Sequence, residues 1–224
     1  ADAAAYDPLP VSVDTWYKRI TKSLLNGVEC TKESNVVRVT VNVVDGGLIA
    51  ADQTICFGST PAPFTSTDDG SGTGSSVTYQ WMRSDDNSFF SSIPGAVLTT
   101  YAPGVHYTES YYMRKIISIQ NGVLCTAESD TVKISINPLP IAVLSGGETI
   151  CPGESSILKV EMMVGTGPFE VEIDDGAAGF TVTGYTSNAD ITVTPAATTT
   201  YKLLRVTDAN GCEIVSPNAN LIGT

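Results

Sequence analysis

Five cysteines, one histidine and three pairs of adjacent aspartates are the residues of this 224-residue chain that could do chemistry. The cysteines lack C-x-x-C spacing and lie in a sequence rich in Val, Thr and Ser, so disulfides in an oxidising compartment fit them better than a zinc site. His106 sits among turn-forming residues with no second histidine. The chain has no H-E-x-x-H, no G-x-S-x-G and no Gly-rich phosphate loop. The aspartate pairs Asp68-Asp69, Asp85-Asp86 and Asp174-Asp175 each adjoin Gly, Ser or Asn, the composition of turns. Calcium needs six to eight oxygens, and Asp68, Asp69, Asp174 and Asp175 are the residues that could contribute to a site, although none has D-x-D-x-D-G spacing. The expectation is a protein that is not an enzyme, with no catalytic or cofactor-binding residues and calcium as the sole cofactor candidate.

Charge narrows the partners. With 12 Lys+Arg against 24 Asp+Glu the net charge is −12, which repels nucleic acid and anionic membrane surfaces. No apolar run approaches the roughly 18 residues of a membrane-spanning helix. The first ten residues, ADAAAYDPLP, lack the basic and apolar regions of a signal peptide, so any export signal is expected to have been removed or to lie outside this stretch. The expected location is extracellular or at a cell surface.

The elements that must position the cysteines repeat themselves. TWYKRITKSLLNGVEC lies over SYYMRKIISIQNGVLC at an ungapped offset of 95, and 12 of 29 positions are identical from 15–43 to 110–138. A third, shorter copy, TYKLLRVTDANGC, places Tyr201, Asn210, Gly211 and Cys212 in the same order. Asn-Gly between β-prone runs is a hairpin signal, because a type I′ turn needs positive φ at both central residues. In the following strands Val37, Val39 and Val41, and Val132, Ile134 and Ile136, alternate with polar residues, so one face is expected to be buried. Arg19 and Arg114 should share the strand face of Tyr17 and Tyr112, as solvated or ion-paired decoration.

The same offset aligns DQTICFG with GETICPG, and Tyr6 and Pro8 with Tyr101 and Pro103. It divides the chain into the C-terminal half of a repeat (1–45), a complete repeat (46–138) and a shorter complete repeat (139–224). The missing half of the first repeat is expected upstream in a longer chain or from another segment. In the middle repeat, residues 65–76 (TSTDDGSGTGSS) are expected to be a flexible connection. Trp81 falls on the apolar phase of VTYQWMR and should plug a core, and Phe89 and Phe90 are expected to pack at its end. Short strands with frequent turn signals and no helical periodicity indicate an all-β fold of tandem immunoglobulin-like antiparallel β-sandwich repeats. Tyr17, Tyr112 and Tyr201 are candidates for a tyrosine corner, with ordinary core packing as the equal alternative.

The strings YQWMRSDDNSFFSSIPGAVLTTYAPG and GTGPFEVEIDDG, with the TTTY and DANGC runs, resemble immunoglobulin-like and PKD-like repeats of large Bacteroidetes surface proteins. That group includes gliding-motility adhesins and other substrates of type IX secretion. The resemblance implies a structural or adhesive segment of an extracellular surface protein or filament, acting as a disulfide-stabilised spacer rod. Its partners would be neighbouring repeats, with a homo-filament or a surface glycan as further candidates. The alternative is a carbohydrate- or protein-binding accessory module of a secreted multidomain enzyme.

Two rules compete over cysteine pairing. Each complete repeat carries one early and one late cysteine, which favours Cys56 with Cys125 and Cys151 with Cys212, leaving Cys30 unpaired. Strand geometry instead sets early and late cysteines at opposite ends of a sandwich, which favours bonding between neighbouring repeats, here Cys56 with Cys212. Because the count recurs in each repeat, the pairing within repeats is the expectation. Half a sandwich exposes an apolar face and open strand edges. Residues 1–45 expressed alone should therefore show no cooperative thermal transition by circular dichroism, and a sharp melt would show that the repeat frame is misplaced.

Overall fold

The computed structural model describes residues 5–222, and among these every regular element is a strand. The amino-terminal unit comprises β1 (Thr15–Tyr17), β2 (Ile20–Leu25), β3 (Val28–Glu33) and β4 (Val37–Val39). β1 pairs with β4 and β2 with β3, both antiparallel. The β2–β3 turn carries Asn26 at φ 49° and Gly27 at φ 82°, the type I′ geometry that the dipeptide predicts.

The middle unit begins with β5 (Val44–Asp45), β6 (Leu48–Ile49), β7 (Gln53–Cys56), β8 (Ser66–Asp68) and β9 (Ser71–Gly72). It continues through β10 (Ser76–Ser84), β11 (Ser91–Ser92), β12 (Ser110–Gln120), β13 (Val123–Glu128) and β14 (Val132–Asn137). Its main sheet has the order β11-β10-β12-β14-β7, with β13 also on β12 and the β14–β7 pair parallel. Trp81 of β10 is fully buried, with Phe64 at 5.7 Å and Tyr101 at 5.7 Å between ring centroids. Phe64 and Tyr112 complete the aromatic cluster at 5.0 Å. The Trp81 indole N–H donates to the Leu98 carbonyl at 2.9 Å, so this large side chain buries no unsatisfied donor.

Residues 65–76 are not a loose connection. Their strands β8 and β9 pair with β6 and β5 to form short ribbons over the inner face of β12. The glycines allow close approach rather than looseness: a Cβ on Gly72 would lie 2.7 Å from the Ser118 hydroxyl. The ribbons also decide between the two expectations for Arg114, which is fully buried rather than solvated and has the Asp69 carboxylate at 3.7 Å. It faces inward beside Trp81, its cross-strand partner. Its guanidinium donates to Ser66 Oγ (2.9 Å) and to the carbonyls of Thr99 (2.9 Å) and Asp68 (3.0 Å), over the ring of Tyr79 at 5.1 Å. The ribbons supply acceptors that an isolated strand could not, which is what makes burial of the charge tolerable. Phe89 departs from expectation too: it is 77% exposed, in a turn capped by Asp86.

The carboxy-terminal unit is a two-sheet sandwich. It contains β15 (Ile141–Gly146), β16 (Ser156–Val164), β17 (Phe169–Asp174) and β18 (Phe180–Tyr185), then β19 (Ile191–Val193), β20 (Lys202–Thr207), β21 (Glu213–Val215) and β22 (Leu221–Ile222). One sheet has the order β19-β16-β15-β22 and the other β18-β17-β20-β21. Alternation along β16 and β17 sends Leu158, Val160, Phe169, Val171 and Ile173 into a shared core with Val206 and Ile214. Val171 is fully buried on the phase that Trp81 occupies in the middle unit.

Removing the Trp81 side chain leaves a cavity ringed by Phe64, Tyr101 and Tyr112. Trp81→Ala should cost about 3–5 kcal/mol, read from denaturant midpoints, with the far-UV spectrum of the carboxy-terminal unit retained.

Candidate functional site

The junction between the middle and carboxy-terminal units is the first candidate. β7 pairs in parallel with β14 so that Cys56 faces Asn137, and Phe57 N–H donates to the Asn137 carbonyl at 2.9 Å. Cys56 therefore stands at the end of the sheet from which the chain passes to β15. Cys212 lies in the turn between β20 and β21 and is fully buried. The buried carboxylate of Asp208 holds that turn, accepting from the backbone N–H groups of Cys212 and Asn210, both at 2.9 Å, and of Thr166 at 3.1 Å. This third Asn-Gly turn is wider than the other two, because only its glycine, Gly211 at φ 77°, is left-handed.

Cys56 and Cys212 form a disulfide with a Cα–Cα distance of 5.5 Å across a sequence separation of 156. Cys125 and Cys151 are free, as is Cys30. This corrects the within-repeat assignment of Cys56 to Cys125 and Cys151 to Cys212. The reason is strand geometry. Cys125 faces Ser118, eight residues along β12 from Ser110. Cys56 faces Asn137, three residues beyond Ile134, the partner of Ser110, in the opposite direction. At about 3.3 Å per residue the two lie roughly 35 Å apart, against a limit near 7 Å for bridged Cα atoms.

The second candidate is a cleft of about 630 Å³ on the middle unit, bordered by Arg83, Asp85, Asp86, Phe89, His106 and Tyr112. Asp86 caps its own turn: backbone N–H groups of Ser88 and Phe89 and the Ser84 hydroxyl hold its carboxyl below the usual carboxylate range. Arg83 donates to Asp85 at 2.8 Å and to Ser110 Oγ at 2.9 Å. His106, placed in a loop by its sequence neighbours, is buried in the cleft floor. Its Nδ1 contacts the Gly104 carbonyl at 2.8 Å, an atom that can only accept. In the tautomer with its proton on Nδ1, Nε2 is left to accept the Tyr112 phenol at 2.6 Å. Burial pushes that phenol up to about 12.

The remaining sequence candidates resolve into structural roles. Asp68 accepts from Gly70 N–H at 2.8 Å and Asp174 from Gly176 N–H at 2.9 Å. Asp175 accepts from Ala177 and Gly179, which hold its carboxyl low, and Asp69 approaches Arg114 at 3.7 Å. Among the described residues no three His, Cys, Asp or Glu side chains are grouped to hold a metal ion. Tyr112 bonds to His106 rather than to backbone. The tyrosine that ties backbone together is Tyr185, whose hydroxyl accepts from Val160 N–H at 2.8 Å and donates to the Ala189 carbonyl at 2.8 Å. Its signal was its place at the end of an alternating strand, without the Asn-Gly repeat that drew notice to the other three.

A family model described as a domain of unknown function (DUF8696) matches residues 45–138, the span of the middle unit. Among curated proteins none matches the chain.

Two outcomes follow from this geometry. Peptide mapping without reductant should return a Cys56–Cys212 peptide together with free thiols at Cys30, Cys125 and Cys151; a Cys56–Cys125 peptide would refute the junction geometry. Tyr112 has a folded pKa near 12 against 10 in the open chain. Its contribution to stability is thus full below about pH 10 and lost as pH rises towards 12. Melting temperature should fall over that window, and Tyr112→Phe should flatten the fall, with late phenolate absorbance as the second readout.

Proposed function

We propose that this chain is a structural spacer segment of an extracellular surface protein, built from tandem immunoglobulin-like repeats whose successive units are locked by disulfides. The observation that carries the reading is the Cys56–Cys212 bond, which joins two separately cored units instead of closing either one. A bond inside a sandwich stabilises that sandwich; a bond between sandwiches restricts their relative motion and shields the intervening chain from extension. Only three residues, Pro138, Leu139 and Pro140, separate β14 from β15, and Pro140 is fully buried. A short proline-containing connection adds to the stiffness that the bond provides. The acidic chain and the resemblance to Bacteroidetes surface repeats support an extracellular setting, and the disulfide supports an oxidising one.

The cleft favours a second reading, a carbohydrate- or protein-binding module. Exposed Phe89 beside Asp85, Asp86 and Arg83 offers an apolar platform with polar neighbours, the usual make-up of a ligand site. Electron microscopy of native surface material labelled with an antibody to this chain should show extended fibres under the spacer reading. Saturable binding on a glycan array, abolished by Phe89→Ala, with no labelled fibres would favour the module instead.

A further inference from the structure

We infer that the amino-terminal unit is a docking site for a polypeptide segment built like residues 46–109 of this chain, and that Cys125 bonds to that segment's cysteine. The inference rests on the repeat reading above and names the partner that reading requires.

The amino-terminal unit copies part of the middle unit residue for residue. Thr15 pairs with Val39, and Tyr17 with Val37; 95 positions later Ser110 pairs with Ile134, and Tyr112 with Val132. Ile20 pairs with Glu33 as Lys115 does with Glu128. The backbone N–H of Arg19 donates to Ser34 Oγ at 2.9 Å, and that of Arg114 to Ser129 Oγ at 2.9 Å. Both turns have the same left-handed pair, Asn26-Gly27 and Asn121-Gly122.

What differs is the covering. Val132 and Ile134 are 1% and 0% exposed, whereas their counterparts Val37 and Val39 are 55% and 37% exposed. Every residue that supplies an acceptor to the Arg114 guanidinium (Ser66, Thr99 and Asp68) belongs to residues 46–109, and its counterpart Arg19 stands exposed. β12 runs unbroken beside β10, while its counterpart breaks at Lys18 and Arg19 into β1 and β2. Each difference lies where a segment like 46–109 would sit. Such a segment would add a β10-like strand antiparallel to residues 16–24 and a β7-like strand parallel to residues 39–42, a case of strand addition.

The cysteine follows from the same register. In the middle unit Cys56 faces Asn137, whose counterpart is Asn42. Asn42 Nδ2 donates to the carbonyls of Ser118 (2.9 Å) and Val123 (3.2 Å), and its Oδ1 accepts from the Ser118 hydroxyl at 2.7 Å. Ser118 is the cross-strand partner of Cys125. A docked cysteine opposite Asn42 is thus delivered to Cys125, as Cys56 is delivered to Cys212 one unit along. In assembly, two thiols lose two protons and two electrons to a low-molecular-weight disulfide, which is reduced to its thiols.

The test uses the full chain and a polypeptide of residues 46–109 whose one cysteine, Cys56, carries a thionitrobenzoate mixed disulfide. The attacking thiolate forms a new S–S bond and expels thionitrobenzoate, with no net oxidant. Docking predicts that the half-buried Cys125 is captured at least tenfold faster than the exposed Cys30 and Cys151, and that Val39→Asp abolishes this preference. A shorter probe, residues 52–58, should show the same preference if the longer one aggregates. Capture ranked by exposure, with Cys30 and Cys151 ahead, overturns the proposal, as does equal capture of a scrambled peptide. Swapped dimers of the full chain in light scattering would assign the face to residues 46–109 released from a second copy, rather than to a separate segment, and overturn it as well. Fibres in micrographs with no preference for Cys125 would overturn the docking alone and leave the spacer reading standing.

Discussion

A cysteine at the end of a β-strand can reach only what lies off that end of the sheet, and this constraint governs the chain. Strands of 9 and 11 residues in β10 and β12 make the middle unit about 30–35 Å long. The early cysteine stands at one end and the late cysteine near the other. Neither can find a partner in its own unit, so each is available to a neighbour. Under the spacer reading, repetition at a fixed offset turns this local limit into a rule for assembly, with the end of one unit meeting the hairpin of the next as Cys56 meets Cys212.

The buried polar groups serve this arrangement. Asp208 organises the turn that presents Cys212, satisfying backbone N–H groups that would otherwise be costly to bury beside the sulfur. Asn42 performs a comparable service at the other junction by bridging to the β12–β13 hairpin. Arg114 fastens the thin ribbons over β12, where glycines allow the backbone close enough to be held. Outside these places stability comes from ordinary cores, the aromatic cluster around Trp81 and the aliphatic layer around Val171.

Much of this was legible in the sequence. Asn26-Gly27 and Asn121-Gly122, 95 residues apart, specified hairpins that share register to the residue. Alternation placed Trp81, Val132, Ile134, Val160 and Val171 inside, because period-2 patterning and burial have the same cause. Composition misled at residues 65–76, since Gly, Ser and Asp are used both for loose chain and for close backbone approach, and only the neighbour decides. Arg114 looked like a surface residue because its acceptors are distant in sequence. The disulfide was the hardest feature: counting cysteines per repeat and measuring strands gave opposite answers, and only the measured ends distinguish them.

Under the spacer reading, the Cys56–Cys212 bond locks two units into one mechanical element. Pulling single molecules from both termini tests it most directly. The bond spans a sequence separation of 156, so under oxidising conditions the enclosed chain should contribute nothing to extension. Adding a reductant should release a further contour length of roughly 500–550 Å at about 3.3–3.6 Å per residue. Equal extension with and without reductant would contradict the claim.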